Sequence, residues 1–406
     1  MCANPPAVPR PRKVAVAGAT ERINVMREHS SAMRVTGPRI RIGLLLLQVL
    51  SAGYGLTAVE AAVLPEDRSD LMYHYYDGGG VSVSGPAVLV RKSIGDSVSV
   101  SGRYYVDTIS SASIDVVTTA SPYHDRREEM GVGIDYLHGN SLVTMSLTSS
   151  KENDYLADTY SINVSHELFD GLTTLSLGFS QGKDTVQRVD TSFEDQVNRY
   201  NYRIGLSQVL TRTLLLGLAF EDVAEEGYLN NPYRAARVLG AYLPERYPRA
   251  RDSQAISTRL IKGFGSAARP LSTSVYVDYR YYRDTWDIRA HTLSLGLQRY
   301  LGDRWIMEGR ARYYTQNRAS FYSDNFPIEM TYMARDKELS TFQDYSLGVK
   351  FSWMFAKQRF LFINRASLNL SYDYIFFSYD DFTDPRTGEL YSFGANILQF
   401  FITAWY

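Results

Sequence analysis

Cysteine is all but missing from this 406-residue chain, whose one copy is Cys2 at the extreme N-terminus. That excludes a disulfide framework, thiol nucleophiles and Cys-based metal sites in the body of the chain, and a lipid anchor on a cysteine at a cleavage site. Proline is sparse, at 14 copies, and after residue 62 no apolar run approaches the roughly 18 residues of a membrane-crossing helix. Net charge is small as well. It is −1 overall, and because residues 1–61 hold 8 Lys/Arg and 3 Asp/Glu, 35 basic and 41 acidic groups remain, a net of −6. A nucleic-acid binder needs a basic footprint, so no nucleic-acid partner is expected. The six histidines (29, 74, 124, 138, 166, 291) include no i, i+2 or i, i+4 pair, and neither HExxH nor GxSxG occurs. His124 and Asp125 are adjacent and point apart on an extended chain, while His291 and Ser294 fall on unlike faces. No catalytic residue, metal site or cofactor is expected; Asp380, Asp381 and Asp384 are close enough to hold calcium weakly but read better as a solvated loop.

What is present begins with an address. Arg39 and Arg41 precede the apolar stretch Ile42–Leu50, and small residues follow through Ala62. A basic start, a short apolar core and a small-residue exit describe a secretory signal peptide over 39–61, with cleavage at Val59-x-Ala61. Residues 1–38 form an unpatterned extension, rich in proline near its start, as expected if translation begins at Met26 or Met33. The mature body is then 62–406.

That body alternates with period two almost throughout. Tyr345, Leu347, Val349, Phe351, Trp353 and Phe355 alternate with Ser346, Gly348, Lys350 and Ser352. Such segments are strands with two chemically different faces. At 10–14 residues they exceed the usual strand and match the roughly 9–11 needed to cross a bilayer. Short turns are expected at Gly95-Asp96, 138–140, 169–171, 210–212, 263–266, 301–303 and 356–358. Between them lie connections at 108–127, 151–156, 183–197, 223–252, 317–340 and 379–391, with 284–285 the one tight exception. The expected fold is an all-β transmembrane antiparallel barrel of about 16 strands, with short periplasmic turns and long extracellular loops. Leu71–Asp77 would open it. The final strand, ending on Tyr406, would close it and carry the signal read by the barrel-assembly machinery. Outer-membrane lipid is the partner of the outer face, and Tyr104/Tyr105, Tyr281/Tyr282 and Tyr313/Tyr314 suit girdles at the membrane interfaces.

The stretches Tyr76–Gly80, Ser84–Lys92, Val106–Ser110, Ala120–Tyr123 and Gly227–Arg234 resemble the bacterial family known as domain of unknown function 3570 (DUF3570). The resemblance covers essentially all of residues 70–406. It implies a predicted outer-membrane barrel in company with periplasmic redox-related proteins, and it brings neither an activity nor site residues.

Alternation places Arg203, Arg259, Arg280, Arg310, Arg312 and Lys350 on the inward face, with Asp135, Asp278, Glu308 and Asp373. Charges belong there, since each basic residue on the lipid face would cost about 2–4 kcal/mol at midplane. They are candidates for an anion-favouring constriction in a pore or transport conduit of unspecified small-molecule substrate. A salt-bridged lining that only stiffens a non-conducting docking barrel is the competing use. In the 223–252 loop, Tyr233, Arg234, Arg237, Arg246 and Arg249 could grip phosphates, sugars or a partner protein by bidentate contacts and stacking, and a folded-in plug is the other use of such a loop.

Overall fold

The computed structural model describes residues 63–111, 123–266, 269–356 and 363–406. The signal segment 39–61 and the extension before it lie outside the described residues, as do 112–122, 267–268 and 357–362. No described helix is long and apolar enough to cross a membrane.

Sixteen strands close into one antiparallel barrel. Its first half comprises β1 (Arg68–Gly78), β2 (Val81–Ile94), β3 (Val98–Ser111), β4 (Tyr123–His138), β5 (Ser141–Lys151), β6 (Tyr155–Leu168), β7 (Thr173–Gln187) and β8 (Glu194–Thr211). Its second half comprises β9 (Leu214–Gly227), β12 (Ala250–Ser266), β13 (Arg269–Asp284), β14 (Arg289–Leu301), β15 (Trp305–Gln316), β16 (Phe342–Ala356), β17 (Arg365–Thr383) and β18 (Leu390–Trp405). Between β9 and β12 a separate hairpin pairs β10 (Ala235–Val238) with β11 (Ala241–Pro244).

The period-two pattern becomes two surfaces. On β16, Tyr345, Leu347, Val349, Phe351, Trp353 and Phe355 are exposed, while Asp344, Gly348 and Lys350 are buried. On β4, Met130, Val132, Ile134 and Tyr136 point out, opposite Glu129 and Asp135. An apolar band of this kind runs over most of the outer wall. Rings concentrate at both of its rims. Trp305 stacks on Trp353 at 5.7 Å near the short-turn end, and Tyr313 meets Tyr345 at 5.0 Å nearer the loops.

Closure is antiparallel, β18 on β1, with Arg68 opposite Trp405 and Gly78 opposite Ala395. Tyr406 follows and is pinned. Its Oη donates to the Arg91 carbonyl at 2.8 Å, and Lys92 Nζ lies 5.2 Å from its ring centroid.

Several connections differ from the expectation. The β1–β2 turn is only Gly79-Gly80, both at positive φ (59° and 78°), a two-residue turn whose twist suits a hairpin. The β5–β6 connection is three residues, 152–154, so the loop side has more than one tight link. Gly263 and Phe264, expected in a turn, pair with Ser274 and Thr273, and a register shift between Phe264 and Ser266 absorbs the irregularity. The loop expected at 223–252 spans only 228–249, because β9 runs to Gly227 and β12 starts at Ala250, and the 317–341 connection is longer.

Replacing Tyr406 tests the closing contact. Tyr406→Ala removes both the hydrogen bond and the ring, and a several-fold fall in the heat-modifiable, folded fraction on a gel is expected. Tyr406→Phe keeps the ring, and its folded fraction should stay near wild type.

Candidate functional site

Register builds the inner wall sideways, across strands. Tyr276, Gly296, Arg310, Gly348 and Asp373 stand in one row from β13 to β17. Arg310 reaches past Gly348 to Asp373, with Nε donating to Oδ1 at 2.7 Å and Nη2 donating to Ser371 Oγ at 2.9 Å. A methyl group at Gly348 would collide with Asp373 Oδ1 and with the Arg310 side chain. Gly296 likewise makes room for the ring of Tyr276, whose Oη donates to Glu308 at 3.3 Å. One step toward the short turns, Glu308 stands opposite Lys350, whose Nζ lies 5.5 Å from the Phe401 ring centroid.

The other inward candidates form separate pairs rather than one centre. Arg259 grips Asp278 in bidentate fashion at 2.6 and 2.8 Å. Arg312 donates to Asp344 at 2.7 Å. Arg280 contacts Glu221 at 3.4 Å, and Arg203 stands opposite that same Glu221. Arg203 is buried, yet its Nε and Nη1 have no hydrogen-bond partner. Asp135 accepts from Thr144 Oγ1 at 2.7 Å and faces Arg91 at 3.7 Å. Toward the short-turn end the wall opens on a cavity of about 60 Å³, lined in part by Gln298, Glu308, Lys350, Ser352, Ser367 and Asn369.

A second network was hidden from sequence reasoning. His74 Nε2 lies 2.8 Å from Asp107 Oδ1 and 3.0 Å from Tyr105 Oη, and the His74 and Tyr105 rings stack at 4.9 Å. Arg127 is buried beside it, 2.8 Å from Glu129, 3.7 Å from Asp107 and 3.6 Å from Glu152. Charge alternation along β4 hints at Arg127 and Glu129; only the register adds β1 and β3.

At the loop end the inward face changes character. Tyr76, Val83, Ile109, Phe342, Phe377 and Tyr379 belong to one buried apolar cluster where polar lining was expected. Above it the loops 228–249 and 317–341 interlock with the β13–β14 turn: Tyr247, Trp286, Phe321, Ala334 and Leu339 pack together, and Val238 bridges to Phe326. The loop candidates serve largely inside this cap. Arg234 pairs with Asp336 at 2.6 Å, Arg246 with Glu329 at 2.6 Å, and Arg249 with Asp195 through two bonds of 2.8 and 2.9 Å. Tyr233 Oη accepts the Val189 N–H at 2.9 Å, with Arg188 over its ring at 4.9 Å. Arg237 lies in the hairpin opposite Tyr242. Burial pushes the Glu245 carboxyl in this cap well up, against the pull of Arg234; it accepts from Tyr247 Oη at 2.9 Å and from the Arg335 N–H at 2.6 Å. Asp381 and Asp384 face Arg318 and Arg386.

The family model described as protein of unknown function (DUF3570) matches residues 113–373. No curated protein matches the sequence. Among solved structures, a bacterial polysaccharide outer membrane secretin is similar at a TM-score of 0.49 and 7% identity, covering 84% of this chain and 100% of its own. The outer membrane protein OpdK from Pseudomonas aeruginosa is similar at 0.41 and 10% identity, covering 84% and 99%. A Pseudomonas aeruginosa FadL homologue is similar at 0.40 and 10% identity, covering 84% and 90%.

Gly348 offers a test of the wall. Gly348→Val should displace the Arg310–Asp373 pair and destabilise the refolded barrel by about 1–3 kcal/mol in urea unfolding. Gly309→Val, where an added Cβ meets nothing within 4 Å, should stay within about 0.5 kcal/mol.

Proposed function

We propose, from the premise that the chain belongs to the DUF3570 family, that it is an outer-membrane barrel serving as a narrow conduit for small polar solutes. The apolar outer band supports lipid as its solvent, since a contiguous apolar surface of that extent is foreign to water-soluble monomers. Outer-membrane lipid and the barrel-assembly machinery are the partners this location would require. Periplasmic redox-related proteins are the further partners suggested by the family resemblance.

The observation that carries the conduit is Arg203. In a wall whose other charges are largely consumed by neighbouring strands, its guanidinium keeps two nitrogens without hydrogen-bond partners. Glu221 stands opposite this cation, and the two open nitrogens beside it suit a transient anionic group, so the preferred solute is a small anion. The Glu308–Lys350 cavity toward the short-turn end is the natural vestibule. The interlocked loops 228–249 and 317–341 favour a second reading, a permanently closed barrel that docks partners.

Planar-bilayer recording of refolded protein separates the two. Discrete steps with anion preference, reduced in Arg203→Ala, are expected of the conduit; silence at every voltage and salt would leave the docking barrel. The membrane face has its own test. Leu347, 68% exposed on β16, should tolerate arginine poorly. Leu347→Arg is expected to cost about 2–4 kcal/mol in vesicle unfolding, and an unchanged stability would place that face in water.

A further inference from the structure

We infer that Asp125, at the loop end of β4, together with Glu152 and Asp154 in the β5–β6 connection, forms a calcium-binding site. Each presents one carboxylate oxygen to a common point, and the three oxygens lie within 4.8 Å of one another. Calcium takes oxygen ligands at about 2.3–2.6 Å, so oxygens on opposite sides of one ion are about 5 Å apart, and three at this spacing fit a single shell.

Burial separates this cluster from an ordinary acidic loop. Asp125 and Glu152 are each 5% exposed and Asp154 is 3% exposed. Asp125 Oδ2 and Asp154 Oδ1 are buried without a hydrogen-bond partner. Such orphaned acceptors are costly, and each calls for a group that supplies positive charge. The protein supplies little. Among the described residues neither Asp125 nor Asp154 makes an ion pair, and Arg127, 3.6 Å from Glu152, is shared with Asp107 and Glu129. Burial, then the charges of Glu152 and Asp125, push the Asp154 carboxyl up to about 8.

The carboxylates are also held in place. Asp125 Oδ1 is fixed by the Arg126 N–H at 2.8 Å and by Asn153 Nδ2 at 2.5 Å. The short connection is tied at both ends, Glu152 N to the Tyr155 carbonyl at 2.9 Å and Gln187 N to the Asp154 carbonyl at 2.8 Å. The three carboxylates are thereby held close together, and water would complete the shell. All-oxygen ligation with irregular geometry suits calcium better than magnesium, which demands a near-ideal octahedron and dehydrates reluctantly. The loop side faces the cell exterior in the proposed orientation, where sites typically work at about 10⁻⁴–10⁻³ M.

The test is calcium titration of the full mature barrel, refolded in metal-free zwitterionic detergent, followed by calorimetry and by the thermal midpoint of heat-modifiability. Wild type should bind one calcium and gain a higher midpoint that EDTA reverses, with magnesium weaker. Asp154→Asn removes repulsion as well as a ligand, so it should fold, shown by its heat-modifiable band, yet bind calcium more than about tenfold more weakly. Asp380→Asn, at the loop end of β17, should bind as wild type does. The site is refuted if wild type gains nothing from calcium, if Asp154→Asn responds equally, or if magnesium binds as tightly.

Discussion

Main-chain closure is the constraint on which everything else in this molecule rests. Between β1 and β18 an unbroken register from Arg68–Trp405 to Gly78–Ala395 leaves the barrel without an edge. In a lipid-facing band, backbone groups have no water to turn to, so an open edge there would leave a row of unsatisfied N–H and C=O groups. Antiparallel closure requires an even strand count. It also fixes which side chains become lateral neighbours, and hence where each charge meets its partner.

The inner wall shows what that fixed register makes possible. Arg310 and Asp373 are two strands apart and touch because Gly348, between them, has no side chain. Buried ion pairs of this sort gain little in net stability after desolvation, but breaking one leaves a stranded charge. The wall is thus rigid by mutual dependence. Groups with open hydrogen-bonding positions, such as Arg203 and the Asp125–Asp154 cluster, stand out against the paired background.

The architecture was legible in the sequence because alternation and turn residues are local properties. The two faces of β16 can be read from Tyr345 to Phe355 alone, and sixteen strands follow from counting turns. Cross-strand partnership is not local. Asp125 and Asp154 are 29 positions apart, Arg310 and Asp373 are 63 apart, and no spacing rule anticipates either meeting. The loops were least legible. An Arg/Tyr-rich loop looks like a ligand grip until the sites of Arg234 and Asp336 are seen side by side, a contact between two loops with no shared periodicity. The Gly263–Ser266 turn failed for a related reason: glycine marks a bulge as readily as a turn, and pairing with β13 decided between them.

The two ends of the barrel are chemically unlike, and the difference constrains any transport mechanism. The short-turn end has a small cavity beside Glu308 and Lys350, whereas the loop end carries packed apolar rings beneath the interlocked loops. The ion pairs on the cap's rim contribute little to holding these loops together. Arg246–Glu329 and Arg249–Asp195 are largely solvent-exposed, and pairs of that kind are worth about 0–1 kcal/mol. The barrier lies in the packed Tyr247, Trp286 and Phe321 rings, with Trp286 and Phe321 edge-on at 5.1 Å, because separating them exposes large apolar surfaces. Conduction through this barrel would therefore require the 228–249 and 317–341 loops to part as a packed unit.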